Sequence, residues 1–250
     1  MIVSFLTTSD PLYLPKFFKR VLPQLSRRHV VRIYSVPPLY KNQTSSQAAR
    51  RYLTTFGLAA TIQLTIRLLR AKLARQSIEL VCRESGVHYD LISDVNAPEF
   101  LDRLRGEDVD ILVSVSCPQI FRRALIELPR QGILNIHGAI LPQYRGVMPS
   151  FWMFANGEQQ AGVSIYFVNE KIDAGELCGQ TIFSIDPKET LDEFIMRSKL
   201  MAGDLLLRTI DAMERGDVQR RALNLAEGSY FNWPDAKAVR RFRAAGRRLW

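Results

Sequence analysis

Short runs of apolar residues alternate along the chain with longer segments in which apolar residues recur at helical spacing. The short runs predict strands at residues 2–6, 30–36, 88–92, 109–116, 132–137, 162–168 and 180–185. The longer segments predict helices at 15–22, within 42–76, at 97–104, after Pro118, from Pro149 and from Thr190 to about Arg215. Thr190, with Glu193 three residues later, predicts a capping box at the start of the last of these helices. This alternation favours an α/β fold with a mostly parallel, twisted sheet and helices on both faces.

The helix within residues 42–76 is predicted to be basic and amphipathic. Gln63, Arg67 and Arg70 lie on one side of it. The apolar stripe on the other side consists of Leu58, Ile62, Ile66, Leu69 and Leu73. We expect this stripe to pack on its own domain, because the apolar face of a helix usually faces the core. The alternatives are docking on a membrane surface or an anionic acceptor, or contact with a second copy of the chain in a homodimer.

The net charge of +9 is unevenly distributed. Residues 11–78 contain 13 Lys and Arg and no Asp or Glu, whereas residues 79–236 contain 15 basic and 24 acidic residues. Residues 237–250 add six basic residues and no acidic one. Such asymmetry favours an anionic partner, which is a nucleotide, a nucleic acid or a membrane surface. The alternative is a solvated face that only keeps the protein soluble.

The cysteines and the start of the chain bear on the compartment. Cys82, Cys117 and Cys178 are far apart and odd in number, so they form neither a disulfide framework nor a metal-binding spacing. The amino-terminal apolar run has no basic residues before it and is typical of a first strand rather than a signal peptide. Because the sequence contains no long uninterrupted apolar stretch, no transmembrane helix is predicted. We therefore expect a cytoplasmic protein.

Polar side chains end the predicted strand at residues 132–137. Asn135 and His137 are two residues apart and share a face of an extended backbone. They would lie side by side at the carboxyl end of a strand, where open α/β sheets bind their ligands. Asp173 lies in a turn between the last two predicted strands, from which its carboxylate can approach the imidazole.

This set of three suits acyl transfer to an amine. His137 and the Asn135 amide can donate hydrogen bonds to the oxyanion that develops when an amine attacks a carbonyl, and one such donor contributes roughly 3–4 kcal/mol. Asp173 can orient His137 and accept, directly or through water, the proton that the amine loses. Taken singly, a histidine at a strand end is more often structural, and an aspartate before Ala-Gly is more often a turn residue.

The segment NIHGAILPQYRG, followed later by DAG, resembles the core of the formyltransferases that use 10-formyltetrahydrofolate. The family pattern is Asn-x-His, a Leu-Leu-Pro-x-Tyr/Trp-Arg-Gly loop and Asp-x-Gly. Here these positions are Asn135 and His137, residues 141–146, and Asp173 with Gly175. The resemblance, which covers residues 109–184, implies a Rossmann-like catalytic domain at residues 1–215. A short carboxyl-terminal extension follows at residues 216–250, in which residues 229–250 are expected to form an irregular and then basic tail.

The resemblance also implies a mostly apolar folate pocket at the strand ends and no metal. The pterin of 10-formyltetrahydrofolate would lie against the loop after strand 109–116 and against the turn at Asp173. The residues implied to bind it are Ser116, Cys117, Pro118, Ile120, Leu141 and Gly175. The sequence departs from the family at two places. Gly138-Ala139 replaces the usual Pro-Ser and loosens the loop, and Tyr166 stands where many members carry a second histidine.

The acceptor is expected to be a primary amine on an amino sugar or a sugar nucleotide, and therefore an anionic small molecule. Glycinamide ribonucleotide requires a Gly-rich phosphate-binding turn after the first strand, and TTSDPLYLP contains no glycine. An aminoacyl-tRNA suits the basic amino-terminal third. The resemblance implies, however, that the tRNA enzymes have a second domain, a carboxyl-terminal β-barrel. The residues after the long helix of this chain are too few to form such a barrel.

Two further alternatives differ in kind from an amine formyltransferase. The deformylases of the family usually carry an amino-terminal regulatory domain, which is not expected before a first strand that starts at Ile2. A non-catalytic relative would keep the folate-like pocket and dock on a membrane or a partner through its basic helix. The intact set of Asn135, His137 and Asp173 argues against this non-enzymatic function.

Overall fold

The buried apolar strands pair with one another in a single large sheet. The computed structural model describes residues 1–38 and 43–250; Asn42, where the predicted segment 42–76 begins, lies outside these residues. The strands in the described part of the chain are β1 (Ile2–Thr8), β2 (Val30–Val36), β3 (His88–Leu91), β4 (Ile111–Val115), β5 (Ile133–His137), β6 (Arg145–Gly146), β7 (Gln160–Phe167), β8 (Leu177–Ser184) and β9 (Tyr230–Phe231).

Helices connect most of the strands. They are α1 (Leu14–Leu25), α2 (Ser45–Phe56), α3 (Leu58–Leu73), α4 (Ile78–Glu84), α5 (Pro98–Glu107), α6 (Arg123–Ile126), α7 (Pro149–Ala155), α8 (Leu191–Arg215) and α9 (Ala236–Ala244). A single 3₁₀ turn at Leu225–Glu227 precedes β9.

The strand order of the sheet is β3-β2-β1-β4-β5-β7-β8, and β6 pairs with β9 in a separate two-stranded ribbon. Neighbouring strands from β3 to β5 are parallel, whereas β7 is antiparallel to both β5 and β8. The chain adds β2 and β3 on one side of β1 and then crosses to β4 on the other side. Such a reversal of strand order opens a crevice at the carboxyl ends of the two central strands.

Apolar side chains from the sheet are buried on both of its faces. One face packs against α1, α4 and α8, and the opposite face packs against α5 and α6. Strands buried on both sides are expected to be nearly continuously apolar, and β4 is buried along its whole length with Ser114 as its one polar residue. The predicted Rossmann-like α/β architecture, a mostly parallel sheet between two layers of helices, is confirmed.

The longest helix, α8, begins where its sequence signature predicts. The side-chain oxygen of Thr190 accepts a hydrogen bond from the backbone N–H of Glu193, whose carboxylate accepts one from the Thr190 N–H at 2.8 Å. This capping box satisfies two N–H groups that would otherwise lack partners at the helix start. Gly216 ends the helix in a left-handed conformation.

Two differences between the structure and the sequence prediction bear on the function. The stripe formed by Leu58, Ile62, Ile66, Leu69 and Leu73 does not pack on its own domain, because all five side chains of α3 are exposed to solvent. The prediction of a packed stripe was therefore wrong. The segment after residue 228 is also more ordered than the irregular tail that was predicted, since it contains β9 and α9. Phe242 of α9 is buried against α7.

One glycine allows the turn after β7 to lie against that strand. A Cβ atom at Gly175 would lie 1.7 Å from the carbonyl oxygen of Phe167, so no larger residue fits without a backbone shift. Because the same turn carries Asp173, the close approach at Gly175 sets the position of that carboxylate.

We expect Gly175→Ala to lower the free energy of unfolding by about 1–3 kcal/mol, because the added methyl group forces the backbone apart. Urea denaturation of the full chain measures this change. Gly106→Ala is the matched control: Gly106 lies inside α5 with open space around its Cβ position. This control should raise stability by up to ~1 kcal/mol, because alanine favours helices. Equal stability of Gly175→Ala and the wild type would contradict the proposed close packing.

Candidate active site

A cavity of about 320 Å³ opens at the carboxyl ends of β4 and β5. This is the edge of the sheet at which the topology predicts a ligand. Polar side chains line one part of it, and they include those of Ser116, Asn135, His137, Asp173 and Lys199. Apolar side chains line the rest, and they include those of Met148, Phe151, Val163, Leu191 and Ile195. A mostly apolar cavity with a few converging polar groups is typical of a small-molecule site.

The three predicted catalytic residues are brought together, and Tyr166 connects two of them. The Asn135 side-chain amide donates to the Tyr166 hydroxyl at 2.9 Å, and this hydroxyl donates to Asp173 Oδ1 at 2.7 Å. Tyr166 is only 3% exposed. Burial raises the pKa of Tyr166, and the Asp173 charge raises it further. The phenol therefore keeps its proton and remains a donor to the carboxylate.

His137 is held by a backbone carbonyl. Its Nε2 lies 2.8 Å from the carbonyl oxygen of Tyr144, and because a carbonyl only accepts, Nε2 carries the proton. The other ring nitrogen, Nδ1, lies 3.8 Å from Asp173 Oδ2. This separation is longer than a hydrogen bond. The carbonyl of Tyr144 thus fixes the tautomer and leaves Nδ1 for chemistry at the cavity.

Strand β6, at the end of the loop after β5, also supplies a donor to Asp173. The backbone N–H of Gly146 donates to Asp173 Oδ2 at 2.7 Å. Gly146 has a φ of 96°, and a Cβ atom there would lie 2.2 Å from the carbonyl oxygen of Phe231 in β9. Two features therefore require glycine at position 146: the positive φ of its backbone, and its close contact with the carboxyl-terminal segment.

Unusual backbone conformations occur around the cavity. Ser116, Met148 and Asp173 line it with φ values of 55°, 54° and 48°, which non-glycine residues seldom adopt. Each such conformation costs of order 1–3 kcal/mol unless the surroundings hold it in place, and these conformations cluster at functional sites. Their occurrence at one cavity supports a functional site there.

A lysine that the sequence analysis did not single out lies in the cavity wall. Lys199 of α8 donates from Nζ to Ser116 Oγ at 2.7 Å. Burial lowers the pKa of Lys199, and the charge of Asp10 opposes this shift. The spacing of Leu191, Ile195 and Lys199 places the three on one face of α8, but only the packing of α8 shows that this face meets the cavity.

Asp10 occupies the start of α1. Its carboxylate accepts hydrogen bonds from the backbone N–H groups of Leu12, Tyr13 and Leu14, at distances from 2.8 to 3.3 Å. Burial raises the pKa of Asp10, although these hydrogen bonds and the charge of Lys199 oppose the shift. The N–H groups that bind phosphate at the start of many helices are thus engaged by the chain itself.

The residues expected to bind the folate lie at different depths. Ser116 and Cys117 line the cavity, and burial raises the pKa of the Cys117 thiol to about 12, so it remains protonated. Pro118 is half-buried and Ile120 is 70% exposed in the following loop. Leu141 is buried and donates its backbone N–H to Ser164 Oγ, and Gly175 contacts Phe167. The folate contacts of these six residues remain a prediction.

Within residues 1–38 and 43–250, no group of three or more His, Cys, Asp or Glu side chains is arranged to hold a metal ion. Among the helices in those residues, none is both long and apolar enough to cross a membrane.

Residues 67–210, more than half of the chain, match the model of the Formyl transferase family. The chain belongs to this family. The methionyl-tRNA formyltransferase of Geobacter metallireducens is 30% identical over 149 residues, which cover 60% of this chain and 48% of that protein. The chain therefore matches about half the length of this relative.

Solved structures of other formyltransferases share the fold. Glycinamide ribonucleotide transformylase 1 from Symbiobacterium toebii aligns with a TM-score of 0.61 and 15% identity, over 90% of this chain and 95% of that one. An N-formyltransferase from Helicobacter canadensis, in complex with folinic acid and dTDP-3-aminofucose, aligns with a TM-score of 0.60 and 16% identity. This second alignment covers 98% of this chain and 80% of that one. At these identities the likeness is one of fold.

We expect Tyr166→Phe to lower the free energy of unfolding by about 1–3 kcal/mol, because Asn135 and Asp173 each lose a buried hydrogen-bonding partner. Urea denaturation of the full chain measures the change. Tyr230→Phe, which removes a hydroxyl from a residue that is 45% exposed, is the control and should change stability by less than ~0.5 kcal/mol. If both variants were as stable as the wild type, Tyr166 would not hold the two side chains together.

Proposed function

We propose that the chain is an N-formyltransferase that moves a formyl group from 10-formyltetrahydrofolate to a primary amine on an amino sugar or a sugar nucleotide. The observation that carries the proposal is the convergence of Asn135, His137 and Asp173 on one cavity, in a chain of the Formyl transferase family. The proposal places the catalytic domain at residues 1–215, with a short extension at residues 216–250, and the protein in the cytoplasm.

The cavity has room and chemistry for a folate head group. Its apolar wall suits a flat ring, and its polar wall holds hydrogen-bonding groups at the strand ends. When bound, 10-formyltetrahydrofolate supplies an activated formyl carbon on a nitrogen atom. Ser116 and Cys117 would contact the ring from the loop after β4, while Pro118, Ile120, Leu141 and Gly175 would shape the surrounding pocket.

Each of the three polar residues has a role that its contacts allow. With Nε2 committed to the Tyr144 carbonyl, a protonated His137 donates from Nδ1 toward the charge that develops on the formyl oxygen. Asn135 uses one amide hydrogen for Tyr166 and has a second one for the same oxygen. Asp173 stabilises the imidazolium and accepts, directly or through water, the proton that the attacking amine loses.

An anionic small-molecule acceptor agrees with the charges at the site. Lys199 presents its amino group to the cavity, whereas the Asp10 carboxylate accepts from the backbone N–H groups of Leu12, Tyr13 and Leu14, which lead into α1. A nucleotide-linked amino sugar brings phosphates that can pair with a lysine. The Helicobacter canadensis enzyme, whose fold this chain shares, binds such a molecule.

An aminoacyl-tRNA is the second candidate acceptor. The similarity to the Geobacter metallireducens methionyl-tRNA formyltransferase favours it, and so does the basic segment 11–78, since cations bind nucleic-acid phosphates. The two acceptors make opposite predictions for salt. Transfer to tRNA should weaken steeply with ionic strength, whereas transfer to a small sugar nucleotide should depend on it less.

A panel of acceptors tests the proposed function. We expect the protein to release tetrahydrofolate from 10-formyltetrahydrofolate when aminated nucleotide sugars are present, as followed by absorbance. Glycinamide ribonucleotide should not be used, because Asp10 occupies the helix start that a phosphate would need. Transfer only to charged initiator tRNA would replace the sugar acceptor with the second candidate. Folate binding without transfer to any amine would indicate a non-catalytic relative.

Two substitutions separate chemistry from binding. His137→Ala and Asp173→Asn should each lower turnover by about 100-fold or more, because both groups handle charge or protons in the reaction. Folate affinity, measured by isothermal titration calorimetry, should change far less. His88→Ala at the exposed edge strand β3 is the control and should keep wild-type turnover. Wild-type turnover of His137→Ala would make that residue structural.

A further inference from the structure

Helix α3 presents an apolar stripe to solvent. Leu58, Ile62, Ile66, Leu69 and Leu73 are 65%, 50%, 42%, 56% and 84% exposed. With 3.6 residues per turn, these side chains occupy about 80° of the helix circumference. We call these five residues the α3 stripe. Exposed contiguous apolar patches of this kind mark interaction sites.

The opposite side of α3 is fixed to the domain. Ala60 and Ala71 are buried. Arg67 donates to Asp192 at 2.6 Å, and its guanidinium lies 4.5 Å from the centre of the Trp250 ring. The face of α3 that carries Ala60, Arg67 and Ala71 therefore packs on the domain, and the α3 stripe points to solvent. Because Arg67 is paired in this way, its charge is not available to a partner.

Unpaired cations flank the α3 stripe. Arg70 and Lys72 lie on either side of it, Arg75 follows the helix, and all three are exposed. Among the described residues, none of these three has a carboxylate partner. Since residues 11–78 contain no Asp or Glu, nothing in this part of the sequence offsets their charge.

A second cavity, of about 310 Å³, adjoins the same helix and adds positive charge. Its wall includes Gln63 of α3 together with Arg243, Arg247 and Arg248. Arg243 donates to the backbone carbonyl of Phe56, while Arg247 and Arg248 donate to carbonyls of residues 186–188. These hydrogen bonds hold the guanidinium groups in place through carbonyl partners, which carry no charge.

The apolar side chains of the α3 stripe and the cations around it favour one of three possible partners: a nucleic acid, a second copy of the chain or a lipid surface. A nucleic acid would be attracted by the cations but offers little to five exposed aliphatic side chains. A second copy docked face to face would cover the apolar residues but would bring two acid-free basic segments together. An anionic lipid surface satisfies both features, since such helices bury apolar side chains at the headgroup level and attract anionic lipids through flanking cations.

We propose that the α3 stripe docks on an anionic lipid surface. The five apolar side chains enter the interface between headgroups and acyl chains, and Arg70 and Lys72 lie at the level of the lipid phosphates. The proposal is independent of formyl transfer, so failure of one leaves the other standing.

Co-sedimentation of the full chain with vesicles tests the proposal. We expect the protein to bind vesicles of phosphatidylcholine mixed with phosphatidylglycerol and to bind pure phosphatidylcholine much more weakly. Arg70→Glu/Lys72→Glu should weaken binding by at least about 25-fold, which is about fivefold for each lost cation. Ile62→Gln/Leu69→Gln should also weaken it, and at these exposed positions neither pair of substitutions disturbs the core. Circular dichroism checks that both variants fold.

Lys16→Glu/Lys19→Glu is the matched control, because it makes the same change of net charge on exposed positions of α1. It should weaken vesicle binding far less than the change on α3. An equal loss in this control, equal binding to both kinds of vesicle, or no binding at all would overturn the proposal. So would a wild-type dimer in light scattering that becomes a monomer in Ile62→Gln/Leu69→Gln, because the stripe would then be a contact between two copies.

Discussion

The burial of one carboxylate constrains the whole site. Asp173 is 9% exposed, and a charge so far removed from water is tolerated only when its oxygens are hydrogen-bonded. Its two oxygens accept from the Tyr166 hydroxyl and the Gly146 amide, and His137 faces it at 3.8 Å. These three groups come from different segments, so strand β7, strand β6 with the loop before it, and strand β5 must all be in place for the carboxylate to have its partners.

The loop that ends in β6 holds the site from two sides. Its Tyr144 carbonyl accepts from His137, and its Gly146 amide donates to Asp173. The loop is held in turn by the segment around β9, because the Tyr144 amide donates to Ser229 Oγ and the Val147 amide donates to the Phe231 carbonyl. Residues after position 215 thereby support the geometry of the site, although they supply none of its three polar groups.

The sequence predicted those helices and strands that a regular spacing of apolar residues or a helix-capping motif marks. The β-branched run at residues 30–36 and the capping box at Thr190 gave β2 and α8 with nearly correct bounds. Asn135 and His137 were placed together because strands alternate their faces. Strand β9 has two residues and no period to detect. The contribution of Lys199 depends on which face of α8 meets the cavity, which only tertiary packing decides.

Asp192 explains why the exposure of α3 is a property of the folded domain. Its Oδ1 accepts from both the Tyr13 hydroxyl and Arg67, each at 2.6 Å, and therefore joins α1, α3 and α8. A carboxylate in the first turn of α8 is also favoured by the helix dipole. The next residue before it, Leu191, lines the catalytic cavity. The ion pair between Arg67 and Asp192 and the buried Ala60 and Ala71 turn one face of α3 toward the domain, so the α3 stripe on the other face points to solvent.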